Sequence, residues 1–346
     1  MEDFSDILLD WYARCGRDLP WRRTRDPYRI WLSEVILQQT RVAQGLDYYR
    51  RFVERFPDVW ALAAASEDEV LKLWQGLGYY SRARNLHAAA RQVVARFGGV
   101  FPAEEEAVRS LRGVGDYTAA AICSAAWNLP CAVVDGNVYR VLARLFDLET
   151  PIDTAAGKRA FAELAQRLLD RTRPGLYNQA IMDFGALQCT PAQPRCGDCP
   201  LAGRCLALAA GTVGVRPVKQ GRAKVRDRWF NYLHVTCGGQ TLLHRRGGGD
   251  IWQGLYEFPL IETDKAADFA ELAATAAFRE LLGNGRWHLR RSVTMPGHQL
   301  SHQLLHAVFH RIECDAMPAF PSVETAALGG YALPRLVDRY LTKYQM

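Results

Sequence analysis

The sequence predicts two domains, an all-α domain followed by a smaller α+β domain. Three observations carry this. At 346 residues the chain is too long for one ordinary core. Up to about Cys205, apolar residues recur at three- and four-residue spacing, the period of an amphipathic helix. Beyond Trp229 the pattern turns to alternation broken by glycine pairs, as strands and hairpins require.

The helical pattern covers 28–41, 46–56, 67–74, 82–97, 118–126, 138–145 and 154–169, with short turns between. These fall in a first domain over 1–205. Residues 206–228 form a connector that turns basic, with Arg216, Lys219, Arg222, Lys224, Arg226 and Arg228 against Asp227. In the second domain, 229–346, strands are expected at 229–236 and 241–245, joined as a hairpin across Gly238-Gly239. A helix near 266–282 follows, then strands near 288–294 and 304–312.

Composition narrows the function classes. No apolar run approaches the ~20 residues of a membrane span, and the start Met1-Glu2-Asp3-Phe4 lacks a signal peptide's basic-then-apolar order. Nine cysteines form an odd set, and those outside the cluster below are scattered, which points to a reducing cytoplasm. A net charge of +6 permits nucleic-acid binding without demanding it. A soluble monomer without membrane attachment is expected.

Cys189, Cys196, Cys199 and Cys205 are spaced C-x6-C-x2-C-x5-C over 189–205, a stretch broken by prolines and glycines. Four thiolates on one irregular loop suit a soft metal centre, and four-cysteine ligation is typical of iron–sulfur clusters. A zinc site usually pairs two close cysteine dyads, and here only Cys196 and Cys199 are close. Two disulfides are the other alternative.

Further upstream, Leu111-Arg112-Gly113-Val114-Gly115-Asp116-Tyr117-Thr118-Ala119 stands between two helices, near 108–124. Gly113 and Gly115 let the turn take unusual backbone angles, and the amides opening the next helix suit a phosphate. An ordinary helical hairpin would read the same way. Asp135, in Val134-Asp135-Gly136-Asn137, sits where an apolar run gives way to a helix and so reads first as an N-cap. Glu34 shares a helix face with Ile30 and Leu37. A carboxylate among apolar neighbours should have a raised pKa and keep its proton near neutrality, unless it reaches water at the edge of that face.

Together these motifs resemble the endonuclease III superfamily of DNA glycosylases, whose 4Fe–4S loop the cysteine spacing matches and whose helix-hairpin-helix the Gly113–Gly115 turn matches. Leu19-Pro20-Trp21-Arg22, the 27–40 segment with Glu34, and Gly76-Leu77-Gly78-Tyr79-Tyr80-Ser81-Arg82 resemble the adenine DNA glycosylases within it. The resemblance covers almost the whole chain. It implies a monofunctional glycosylase that flips out adenine mispaired with 8-oxoguanine or guanine in double-stranded DNA.

On this resemblance Glu34 protonates the departing adenine and Asp135 stabilises the sugar cation, with Tyr117 and Asn137 supporting that site. Bifunctional relatives carry a lysine where this chain has Tyr117, which cannot form a Schiff base. Trp21, Arg22, Leu37, Val42, Gln179 and Met182 match positions lining the adenine pocket. Gln39 and Tyr79 match residues that intrude into DNA, while Thr40 and Leu77 match contacts to the lesion strand. Tyr139 stands where some relatives carry a lysine.

The second domain resembles a Nudix (MutT-like) fold through Trp252-Gln253-Gly254-Leu255-Tyr256-Glu257-Phe258-Pro259. Arg279-Glu280-Leu281-Leu282-Gly283 lacks the acidic pair that a magnesium-dependent Nudix hydrolase needs. The resemblance implies instead a domain that reads the opposite base through Leu300, Ser301 and His302, with Leu300 replacing the usual aromatic. A bifunctional pyrimidine-lesion lyase and a DNA-binding protein without activity are the competing classes.

Overall fold

The computed structural model describes residues 4–221, 225–283 and 285–344. Arg222 and Lys224 of the basic connector lie outside the described residues. By its contacts the chain divides into two units, Met1–Ala64 with Asn85–Arg222, and Ala65–Arg84 with Ala223–Met346.

The first unit is helical. It opens with α1 (Phe4–Cys15), α2 (Pro27–Leu37), α3 (Val42–Arg55) and α4 (Val59–Ala64). Next come α5 (Glu67–Trp74), which belongs to the second unit, and α6 (Ser81–Phe97), whose first turn does too. The first unit continues through α7 (Glu105–Arg109), α8 (Asp116–Trp127), α9 (Gly136–Leu145), α10 (Ala155–Leu168), α11 (Pro174–Asp183) and the short α12 (Leu206–Ala209). Local chemistry sets several starts. Asp26 caps α2 by accepting from the Tyr28 amide, with Pro27 in the first helical position, and Thr154 caps α10 through the Gly157 amide. One core cluster buries Leu8, Trp11, Val138, Leu142, Phe161, Tyr177 and Phe184, tying α1, α9, α10 and α11 together.

The expected helix over 28–41 ends at Leu37. Gln38 turns extended and Gln39 adopts a left-handed φ of 55°, so the chain reverses before α3. Periodicity could not register this, because the residues that break the helix are themselves ordinary helix formers.

The second unit is built on a seven-stranded sheet among the described residues. Its strands are β1 (Arg226–Cys237), β2 (Gln240–Leu242), β5 (Leu260–Thr263), β6 (Trp287–Thr294), β7 (His298–Gln299), β8 (Gln303–Cys314) and β9 (Ser322–Glu324), while β3 (His244–Arg245) and β4 (Tyr256–Glu257) pair separately. The sheet order is β6-β8-β1-β2-β9, with β1 and β8 parallel along their length. β1 and β2 form the expected hairpin, Gly238 and Gly239 taking φ of 54° and 85°, as a two-residue primed turn requires. One sheet face packs Phe230, Tyr232 and Phe309 against α15 (Arg335–Tyr344), and the other packs Leu233, Val235 and Ile312 against α13 (Phe269–Ala273) and α14 (Ala276–Leu282). The single helix expected over 266–282 is thus two, because Asp268 and Thr275 each cap a new start.

Residues 65–84 read as part of the helical domain, yet their polar partners lie beyond β1. Arg245 pairs with Glu67 at 2.7 Å and Asp68 at 3.1 Å, Lys72 Nζ donates to the Tyr331 carbonyl, and Arg84 donates to the Gln253 carbonyl at 2.7 Å. Long-range pairing of this kind leaves no local sequence pattern.

His234 and His310 are buried on opposite faces of the sheet, 7% and 2% exposed. Each has one ring nitrogen bonded, to the Tyr340 and Ser292 hydroxyls, and a buried Nε2 without a partner among the described residues. Burial pushes both from the ordinary 6.5 down to about 4. Between those values the unfolded chain binds more protons, so stability is present above 6.5 and is lost as pH falls toward about 4. The loss should approach about 1.4 kcal/mol per histidine per pH unit inside that window. Urea denaturation of this unit should therefore show a lower midpoint at pH 5 than at pH 7.5, and His310→Leu should flatten the dependence. An equal midpoint at both pH values would contradict the buried neutral histidines.

Candidate functional site

Residues far apart in sequence converge on one cleft in the helical unit, of about 710 Å³, within the size range of small-ligand sites. Trp21, Arg22, Glu34, Leu37, Gln39, Thr40, Val42, Tyr117, Asp135, Asn137, Gln179 and Met182 all line it. Ile30 and Leu37 line it beside Glu34, as their shared face on α2 requires.

Glu34 is partly buried at the cleft wall, and its Oε2 accepts from the Tyr117 hydroxyl at 2.8 Å. Burial raises its pKa from 4.5 to about 6, with the Asp135 charge adding to the rise and Tyr117 and Arg22 opposing it. Tyr117 itself is pushed well above its ordinary range, first by burial, so it stays a neutral donor. Its hydroxyl also lies 3.4 Å from Met182 Sδ.

Asp135 caps α9 and faces the same cleft. Its Oδ1 accepts from the amides of Asn137 at 2.9 Å and Val138 at 2.8 Å, and its Oδ2 accepts from Asn137 Nδ2 at 2.7 Å. Burial raises its pKa, and these donors hold the rise back. Three donors favour charge on Asp135, whereas Glu34 has one, so a proton shared between them resides on Glu34.

Two arrangements were not legible from motifs. Asp183, fully buried at the end of α11, accepts from both terminal nitrogens of Arg22 at 2.7 and 2.8 Å, and from the Arg17 amide and guanidinium. Burial would raise its pKa, but the two arginines outweigh this and hold it low. The clamp fixes the Arg17–Arg22 segment against α11, two walls of the cleft. A charge inside the apolar run Ala180-Ile181-Met182-Asp183-Phe184 was the available signal. Arg140 is the second. It donates to Asn137 Oδ1 at 2.8 Å, to the Gly185 carbonyl at 2.5 Å and to the Cys189 carbonyl at 2.7 Å. It thereby joins the Asp135–Asn137 pair to the start of the cysteine loop.

Cys189, Cys196, Cys199 and Cys205 are free thiols lining one cavity with Val141, Leu145, Phe184 and Leu201. Among the described residues no three His, Cys, Asp or Glu side chains close on one point as ligands of a single ion. Arg144 reaches Cys189 Sγ at 3.4 Å and holds the loop through the Thr190 and Pro191 carbonyls. Arg195, in the loop, is engaged by Asp198.

Other predicted residues lie elsewhere. Gly113, at φ 77°, closes the turn between α7 and α8, and a Cβ there would come within 2.6 Å of Asn85 Cβ. Gly115 caps α8 in an extended conformation, with open space around it. Tyr139 packs edge-on against Phe161, outside the cleft lining. In the second unit, Tyr79, Leu300, Ser301 and His302 line a separate cavity with Tyr80, Arg84 and Trp252. The Tyr79 and Ser301 hydroxyls are 2.7 Å apart, and His302 is exposed. Leu77 is buried and lines neither cavity. Gln39 and Tyr79 are both exposed and both left-handed, at φ 55° and 48°, a strain that non-glycine residues carry mostly at functional positions.

Residues 32–167 match the family described as HhH-GPD superfamily base excision DNA repair protein, and residues 231–343 match a NUDIX domain. An adenine DNA glycosylase of Mus musculus is 43% identical over 265 residues, 74% of this chain and 51% of that protein. One of Buchnera aphidicola subsp. Baizongia pistaciae is 34% identical over 260 residues, 74% of this chain and 73% of that protein. A solved thermostable thymine-DNA glycosylase aligns with a TM-score of 0.56 at 31% identity, over 60% of this chain and 95% of that one. The chain spans about half the length of the curated mouse, Arabidopsis thaliana and rat relatives it matches.

The Asp183 clamp gives a direct expectation. Asp183→Ala leaves two arginines beside a buried, uncompensated site and should lower unfolding free energy by about 3–5 kcal/mol. Denaturant titration measures this, and a loss below about 1 kcal/mol would contradict the clamp.

Proposed function

This chain belongs to the adenine DNA glycosylase family, and on that premise we propose that it is a monofunctional glycosylase of base excision repair. Its substrate is adenine mispaired with 8-oxoguanine or guanine in duplex DNA, and its reaction is hydrolysis of the N-glycosidic bond. The observation that carries this reading is the pair of carboxylates in one cleft, Glu34 raised to about 6 and Asp135 held by three donors.

The duplex hides the glycosidic bond, so the base must leave the stack, at a cost of a few kcal/mol. Gln39 and Tyr79, exposed and already held in strained conformations, suit insertion into the gap. Trp21, Arg22, Leu37, Val42, Gln179 and Met182 then enclose the base. Glu34 gives its proton to a ring nitrogen in the imidazole half of adenine, and the bonding pair departs with the base. Asp135 stabilises the positive charge left on the sugar. Asn137 keeps the Asp135 carboxylate in place, and Tyr117 orients Glu34 (its phenol offers no amine for strand cleavage). Water completes the reaction at the anomeric carbon. The division of roles follows glycoside hydrolysis, where one carboxyl is an acid and the other an anion.

The donor set, four cysteine thiols lining one cavity, supports a 4Fe–4S cluster on Cys189, Cys196, Cys199 and Cys205. Such a cluster would order the loop; the hydrolysis needs no electron from it. The turn at Gly113 and Gly115 offers helix-opening amides to phosphate, a grip independent of base sequence and weakened by salt. In the second unit, the cavity of Tyr79, Leu300, Ser301 and His302 suits recognition of the opposite base, with Leu300 giving an aliphatic contact. The enzyme acts as a monomer in the cytoplasm.

Single-turnover assays on duplexes with adenine opposite 8-oxoguanine, guanine or thymine, and with thymine opposite guanine, test the reading. Strand scission should appear only after alkali and only for mispaired adenine. Scission without alkali, or excision of thymine, would overturn it. Glu34→Gln should bind the duplex while losing about 10²–10⁴ in rate. Because the acid must be protonated, the rate should fall as pH rises above about 6; a rate flat from pH 6 to 8 would count against Glu34. For the cluster, iron and sulfide should be found in equal amounts in purified protein and be lost in Cys199→Ser. Stoichiometric zinc without sulfide would refute that assignment.

A further inference from the structure

We propose that Tyr12, on α1, is a positioning residue that sets which base the cleft accepts, an inference that rests on the glycosylase reading. Tyr12 is outside every motif above and does not itself line the cleft. Its hydroxyl lies 3.1 Å from Gln179 Oε1, and the Arg22 guanidinium sits over its ring at 5.7 Å. Gln179 comes from α11 and Arg22 from the turn after Leu19, and both line the cleft. One side chain therefore braces two cleft residues from separate segments.

The hydroxyl contact fixes the sense of an amide. A glutamine side chain presents an acceptor oxygen and a donor NH₂, and without a partner it can turn either one toward a ligand. A phenol can donate or accept, but Gln179 Oε1 is the acceptor this hydroxyl has among the described residues, so a flipped amide would leave the phenol hydrogen unpaired. Donation to Oε1 is the favoured orientation, and burial of Tyr12 keeps the phenol protonated. Gln179 lines the cleft, and its Nε2 has no hydrogen-bond partner among the described residues, which leaves it available to a ligand there. The oxygen keeps a second lone pair. Gln179 thus offers a donor beside an acceptor, the complement of a ring nitrogen next to an exocyclic amine, as on adenine. Guanine shows two acceptors on its N7–O6 edge and leaves one of these groups opposed. A rotated amide would set its oxygen against the ring nitrogen.

Tyr12→Phe keeps the ring beneath Arg22 and removes only the hydroxyl. Single-turnover excision is compared for adenine and for unsubstituted purine, which lacks the 6-amine, each opposite 8-oxoguanine. The wild type should prefer adenine, and Tyr12→Phe should shrink that preference about three- to tenfold, the scale of one lost neutral hydrogen bond. In a Gln179→Ala background Tyr12→Phe should leave the preference unchanged, since both changes act through one contact. A side chain needed only for folding would slow both substrates alike and lower Tm. An unchanged ratio in Tyr12→Phe, with the wild type active on adenine, overturns the role of Tyr12 and leaves the function standing. A wild type that releases neither base overturns the functional reading and this proposal with it.

Discussion

Two partly buried carboxylates share one cleft, where burial disfavours the charge on each, and the helical unit is organised around how they divide that burden. Asp135 receives two backbone amides and a side-chain amide because it opens α9. Glu34 lies inside α2, where the backbone amides are already committed, and receives a single phenol. The difference between a helix start and a helix interior therefore decides which group holds the proton. The proposed hydrolysis needs one acid and one anion, and local backbone geometry supplies the asymmetry.

Such an arrangement holds only if the walls stay in place. Asp183 ties the segment carrying Trp21 and Arg22 to α11, which carries Gln179 and Met182. Arg140 ties the Asp135–Asn137 pair to the carbonyl of Cys189. Through Arg140 the cysteine loop supports the cleft mechanically, which gives the loop a structural purpose. Both devices pair a charge with several donors or acceptors, as burial of a charge demands.

Much of this was legible in the sequence. The change of period near Trp229 marked the α+β part, and the Gly238-Gly239 hairpin followed from turn chemistry alone. Asp135 read as an N-cap, and it is one. Glu34 was picked out as a carboxylate on an apolar face, and burial raises its pKa as that placement implies. What escaped was non-local. The weight of Asp183 comes from Arg17 and Arg22, more than 160 positions away in the chain. Residues 65–84 read as one more helical stretch, while their ion pairs lie with Arg245 and their backbone-directed bonds with Tyr331 and Gln253. Periodicity reports which face of a helix is apolar; it does not report what that face meets.

The most direct measurement is the ionisation of Glu34 in the intact protein, followed by NMR of a carboxyl-labelled glutamate with Glu34→Gln to assign the signal. The account predicts titration near 6, moving down when Asp135 is replaced by Asn. A value near the ordinary 4.5, unmoved by that replacement, would mean that Glu34 is a solvated anion at neutral pH. The cleft would then lack its acid.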